Sequence, residues 1–214
     1  MFRNGGRLKH QEKFRIGNED MTIVSSYKYL GVQLSSSGSW SLTQKTLAQQ
    51  AWKVIQILQS RLGKFSSLPH NVCFKIFYIK VLPILTYGSE VWGFHTSPDI
   101  ERVHNKFCKL TLGMSRNTPN CFVKSVLARN SVKMSHYLKI VKFWLRLLFQ
   151  EVNVVLRKAY SFQYKKAENG RACWALKVKS LLFSYGFAEA WIQQGVGQID
   201  LFLYEFRQRC IDIE

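Results

Sequence analysis

At 214 residues the chain can bury a full hydrophobic core in one or two domains, and its 47% apolar and 14% aromatic content excludes a disordered tail as the dominant state. Its 31 Lys and Arg against 13 Asp and Glu leave a formal net charge of +18. An excess of that size favours a polyanionic partner, either nucleic acid or an acidic membrane face.

The opening segment reads as strand and turn. Residues 13–16 and 21–24 alternate polar and apolar side chains around Gly17, Asn18, Glu19 and Asp20, which have hairpin-turn chemistry. Residues 27–34 read as a third strand, with Leu30, Val32 and Leu34 on one face and Tyr29 and Gln33 on the other. A sheet this small is marginal in water without a covering layer, so poor order and exposed apolar faces are expected before about Leu34.

From Ser41 the period becomes helical. Ser41, Leu42, Thr43 and Gln44 have the capping-box form, and Leu47, Ala51, Val54, Leu58 and Leu62 follow as one apolar stripe up to Gly63. Residues 71–82 carry Phe74, Ile76, Phe77, Tyr78 and Ile79, a density that predicts burial on most sides, and Pro83 is expected to kink or stop the helix.

The next helix has the clearest ends: Ser97 as cap, Pro98 at the first helical position and Gly113 just past the end. Ile100, Val103, Phe107 and Leu110 form its core stripe, with Arg102, Lys106 and Lys109 as a parallel basic stripe. Residues 133–149 form a further long helix, with Lys139, Lys142 and Arg146 on one side and Leu138, Val141, Leu145 and Leu148 on another. Residues 176–183 and 199–209 are weaker helices separated by Gly186, Gly195 and Gly197. The expected fold class is therefore α+β, a small N-terminal antiparallel strand remnant followed by a mainly helical bundle.

Charge divides the chain further. Between Glu101 and Glu151 there is no acidic residue, while ten basic ones occur: Arg102, Lys106, Lys109, Arg116, Lys124, Arg129, Lys133, Lys139, Lys142 and Arg146. From Glu151 onward nine basic residues face seven acidic ones, which places a functional boundary near Glu151. The expected units are a strand region at 1–40, a helical bundle at 41–150 and a helical extension of unassigned role at 151–214.

Metal and membrane chemistry find little support in the sequence. Cys73, Cys108, Cys121, Cys173 and Cys210 form no Cys-x-x-Cys pair, so neither a disulfide framework nor a zinc ribbon is indicated. His104 with Cys108, and His70 with Cys73, supply only two ligands each where a closed zinc site needs four. Met1 to Arg7 have no apolar run behind them, so no secretory signal is expected. The most apolar stretch, residues 76–94, is interrupted by Lys80, Pro83, Gly88 and Glu90, and the expectation is a soluble intracellular protein without a membrane segment.

Three blocks in order carry a family resemblance. The first is Tyr27, Lys28, Tyr29, Leu30, Gly31 and Val32, followed by Gly38, Ser39 and Trp40. The second runs Leu82, Pro83, Ile84, Leu85, Thr86, Tyr87, Gly88, Ser89, Glu90, Val91, Trp92, Gly93. The third is residues 100–109, closed by Leu112 and Gly113. Together they resemble the reverse transcriptases of non-LTR retrotransposons, particularly the jockey-like and related clades, over residues 3–149. The resemblance implies that the chain is the end of the palm plus the thumb. Tyr29, Leu30 and Gly31 would then brace the primer end, and the basic helix from Ile100 would face the template-primer duplex.

The same resemblance implies an absence. Polymerase chemistry needs two divalent ions held by carboxylates, which this family supplies from an aromatic-Ala-Asp-Asp turn upstream of Tyr-Leu-Gly. No Asp-Asp pair occurs in the chain, so no catalytic residue, metal or cofactor is assigned and polymerase activity is not expected. What remains is sequence-independent binding of duplex or RNA/DNA hybrid by the ten basic residues, with no expectation for oligomeric state. Two rival readings are a nuclease cluster of Asp200, Glu205, Asp212 and Glu214, and a basic amphipathic helical protein that binds a protein partner or, through residues 138–149 with Trp144 as interfacial anchor, an acidic membrane surface.

Overall fold

The computed structural model describes residues 15–22, 24–95, 97–149 and 154–213. The architecture is α+β and mainly helical, two antiparallel hairpins followed by helices. In the first hairpin β1 (Arg15–Ile16) pairs with β2 (Glu19–Asp20) around Gly17 and Asn18, so Glu19 and Asp20 belong to a strand and not to the expected turn. Residues 13, 14 and 23 of the expected strands lie outside the described residues.

The expected single strand over 27–34 is a second hairpin. β3 (Ser26–Tyr29) and β4 (Val32–Ser35) pair with Tyr29 opposite Val32, leaving Leu30 and Gly31 as a two-residue turn. Both turn residues have positive φ, 45° and 82°, the sign pattern of a type I′ turn whose twist matches that of the flanking strands. Leu30 therefore does not share a face with Val32 and Leu34; it sits at the tip and is 73% exposed.

Helix α1 (Ser41–Leu62) begins without the expected side-chain cap. Trp40 is the boundary residue, its carbonyl accepting from the Gln44 amide, and Ser41 already lies in the first turn. Thr43 takes a structural part instead, its hydroxyl donating to the Gln33 carbonyl at 2.7 Å and tying the helix to β4. The buried stripe is Leu47, Ala48, Ala51 and Ile55, with Val54 and Leu58 partly covered and Leu62 exposed.

Pro83 does not stop its helix. α2 (His70–Ile76) continues through a π-helical turn, Phe77–Val81, into α3 (Leu82–Leu85). Widening the turn just before a proline accommodates a residue that lacks an N–H and crowds the preceding carbonyl. Nor is the segment buried on most sides: Phe74 and Phe77 are in the core, while Val72, Tyr78 and Ile79 are exposed.

The chain then runs through α4 (Ser89–Trp92), α5 (Pro98–Leu112), α6 (Asn120–Val126) and α7 (Val132–Phe149). It closes with α8 (Val154–Glu168), α9 (Trp174–Ser184), α10 (Ala188–Ile192) and α11 (Ile199–Ile213). Two hydrophobic clusters result. The first gathers α1 to α6 around Phe65, Phe77, Trp92 and Phe107; the second gathers α7 to α11 around Trp144, Leu182, Trp191 and Phe206.

Helix α7 joins them, with Val132 in the first cluster and Met134 to Leu147 in the second. Polar links cross the same seam. The buried His136 donates from Nε2 to the Leu85 carbonyl at 3.1 Å, and Trp174 Nε1 donates to the Glu90 carbonyl at 2.8 Å. Gly93 is required there: an added Cβ would lie 2.6 Å from the Ser89 carbonyl and 2.8 Å from His136 Cβ. Among the described residues no helix is long and apolar enough to cross a membrane.

Candidate nucleic-acid interface

Two of the three sequence blocks meet. The Tyr87 hydroxyl donates to the Leu30 carbonyl at 2.8 Å, and the Tyr87 ring lies where a Cβ on Gly31 would approach within 3.3 Å. One residue on, Gly88 with φ 65° leaves room for Val32, whose Cγ2 would be 3.2 Å from an added Cβ. The rest of the second block is held by its carbonyls: Lys139 Nζ donates to that of Thr86 at 2.9 Å and Trp92 Nε1 to that of Tyr87 at 3.0 Å. Tyr29, Leu30 and Gly31 thus form an exposed hairpin tip seated on the corner at Tyr87 and Gly88, with the Tyr29 and Leu30 side chains exposed.

The third block builds a groove. Ser97 caps α5, accepting from the Ile100 amide, and Gly113 with φ 64° ends it, so both ends match the sequence reading. One face, including Ile100, Val103, His104, Phe107, Cys108 and Thr111, is buried, with α1 packed alongside. The adjoining face lines a groove of about 550 Å³ with Arg102, Lys106, Lys109 and, beyond the helix, Arg116. A contiguous hollow of about 210 Å³ adds Lys45 of α1 and the carboxylate of Asp99. Trp52 of α1 lies in the wall of both.

Contacts within the groove are few and mostly exposed. Arg102 pairs with Asp99 at 2.8 Å, Lys109 Nζ donates to the Arg116 carbonyl at 2.8 Å, and the Lys106 ammonium stands 4.7 Å from the Trp52 ring centre. An exposed ion pair and an exposed cation–π contact each contribute little, so these side chains can be redirected to a ligand at small cost. Trp52 and Lys45 were not among the residues singled out from sequence. The available signal was that Trp52 stands one position off the apolar stripe of a basic helix, where its ring can pack against the first cluster along one edge and remain partly uncovered.

Three more of the ten basic residues gather elsewhere. Glu101, side chain 14% exposed, accepts from Lys124 Nζ at 3.2 Å, the Ser131 hydroxyl at 2.5 Å and the Lys133 amide at 3.3 Å, with His104 Nδ1 at 3.9 Å. Burial raises the pKa of this carboxylate, but the His104 and Ser131 side chains and the Lys124 charge outweigh it and hold Glu101 at about 2. Arg129 donates to the Tyr78 hydroxyl at 2.7 Å and lies 3.8 Å above the Phe74 ring. Lys133 stands over Tyr137 at 5.1 Å.

The last three lie on α7. Lys139 is committed to the Thr86 carbonyl, Arg146 rests 5.8 Å from the Phe143 ring centre, and Lys142 is exposed. The ten therefore divide by position: Arg102, Lys106, Lys109 and Arg116 share the groove, Lys124, Arg129 and Lys139 serve internal contacts, and Lys133, Lys142 and Arg146 lie outside the groove.

Among the described residues no group of three or more His, Cys, Asp or Glu is placed to hold a metal ion. Cys73 and Cys108 are buried, and burial pushes their thiols up, Cys108 to about 11, so both are neutral at physiological pH. Comparison with known protein families, characterised proteins and solved structures gives no match. The family resemblance accordingly rests on the three sequence blocks.

Proposed function

We propose that this chain binds nucleic acid without sequence preference through the groove between α1 and α5, as the end-of-palm and thumb portion of a non-LTR retrotransposon reverse transcriptase. The observation that carries the reading is the lining of the groove: among the described residues Lys45, Arg102, Lys106, Lys109 and Arg116 stand against one carboxylate, that of Asp99, with Trp52 between them. Cations spaced along a helix flank suit phosphates, and backbone contacts of that kind position a strand without reading its sequence. The contact between Leu30 and Tyr87 supports the family reading, because it gives two of its separated blocks a shared physical reason.

The chain has no Asp-Asp pair to hold catalytic metals, so it is expected to bind template and primer without extending them. A membrane role is less well supported. Trp144, the anchor that reading needs, is fully buried, stacked on Trp191 and donating to the Tyr160 hydroxyl at 2.9 Å.

Fluorescence anisotropy with two labelled oligonucleotides of unrelated sequence tests the proposal. Similar affinities that weaken steeply with salt are expected, with weak binding to vesicles of anionic lipid. Affinity that ignores salt, strong preference for one sequence, or tighter binding to the vesicles overturns it.

A further inference from the structure

Resting on the nucleic-acid reading of the groove, we infer that its occupant is an unpaired nucleotide, with the base stacked on Trp52 and the flanking phosphates on Arg102, Lys106 and Lys109. Three observations lead there. The ring is half-buried, packed partly against the first hydrophobic cluster, and its uncovered part lies in the walls of two adjoining shallow hollows of about 550 and 210 Å³. A volume of this order suits a small planar ligand. A duplex keeps its base faces stacked on one another, so it can offer such a recess only phosphates; an unpaired base can offer its face.

The second observation is the chemistry around the ring. Cationic side chains reach the recess from both helices, Lys45 from α1 and Arg102, Lys106 and Lys109 from α5, a combination of aromatic platform and basic track suited to single strands. The third is that Lys106 stands over Trp52 in an exposed cation–π contact. An arriving phosphate gives the ammonium a full countercharge and a charge-assisted hydrogen bond, which exceeds what the ring face provides. The lysine then swings from ring to phosphate and uncovers the stacking surface.

The probes are a labelled 20-mer of deoxythymidine and a blunt 20-base-pair duplex at matched salt, with Trp52→Leu and Trp52→Phe chains whose folding is checked by thermal melts. Stacking on one aromatic ring predicts that Trp52→Leu weakens the single strand by about tenfold while the duplex changes less than about twofold and the salt slope is unchanged. Trp52→Phe, which keeps a smaller ring, lies between. Tryptophan quenching gives a second readout: the quench produced by the single strand is expected to fall sharply in Trp52→Phe. Undiminished single-strand affinity and quenching in the variants, or equal losses on both probes, overturns the inference. If the unaltered chain binds the duplex but Trp52 proves indifferent, the inference alone falls; if it binds neither probe, the proposed function falls with it.

Discussion

The hydroxyl of Tyr87 reaches across 57 residues of sequence to donate to the backbone carbonyl of Leu30, at the tip of the β3–β4 hairpin. That carbonyl belongs to a residue with φ 45°, a conformation that a leucine adopts reluctantly. The turn is thus fixed by a tertiary contact and by Gly31, whose φ of 82° strains any other residue and whose added Cβ would stand a tight 3.3 Å from the Tyr87 ring.

Tyr87→Phe is expected to cost about 0.5–1.5 kcal/mol, toward the lower end because the bond is exposed. The loss should be local. Amide exchange should quicken over β3 and β4 while α5 and α7 keep their protection; unchanged exchange in the hairpin would show that the bond does not hold the tip.

Gly93→Ala tests the seam between the two clusters. With the new methyl 2.6 Å from a backbone oxygen and 2.8 Å from His136 Cβ, overpacking should destabilise the fold by about 1–3 kcal/mol. Gly17→Ala, where nothing lies within 4 Å, supplies the contrast, losing only what a positive φ costs. Denaturant unfolding of the two variants would show the difference in midpoint.

Acid should lower the stability of the fold over two successive pH windows. Burial lowers His136 to about 4 from an ordinary 6.5, so the unfolded chain binds its proton first. The stability held by the neutral ring is complete above pH 6.5 and is lost as pH falls toward 4. Glu101, held at about 2 against an ordinary 4.5, contributes stability that is complete above pH 4.5 and is lost as pH falls toward 2. Each is worth on the order of 3 kcal/mol. Glu101→Gln should therefore weaken the fold at neutral pH and remove most of the loss in the lower window, leaving that in the upper one. Urea titrations between pH 2 and pH 8 would separate them.

How much of this was legible depended on whether the cause was local. Helix α5 could be read to the residue at both ends because Ser97, Pro98 and Gly113 act on their own neighbours. The β3–β4 turn was hidden because Leu30 is not a turn residue by chemistry and is held by Tyr87 from far along the chain. Helix α8 escaped because its packed stripe of Tyr160, Tyr164 and Ala167 is weakly apolar, while the more apolar Val154, Val155, Leu156 and Phe162 are exposed.

The candidate site was legible in part for the same reason. The α5 stripe of Arg102, Lys106 and Lys109 follows from helical spacing, and it does line the groove. That Trp52 and Lys45 complete it depends on α1 packing beside α5, which no local pattern states. The acid-free run after Glu101 suggested ten equivalent cations, yet Glu101, at its N-terminal edge, gathers Lys124, Ser131 and the Lys133 amide.

If charge acts from a defined groove, reversing it there should alter the salt dependence of binding to a nucleic-acid probe. Arg102, Lys106 and Lys109 changed together to Glu should weaken binding strongly and flatten the slope of log affinity against log salt by about 0.9 for each phosphate of B-DNA that the chain no longer neutralises. The same reversal at Lys165 and Lys166 of α8, outside the groove, should change both far less. Equal losses from the two sets would mean that the net charge of +18 acts diffusely and that the groove has no special part in binding.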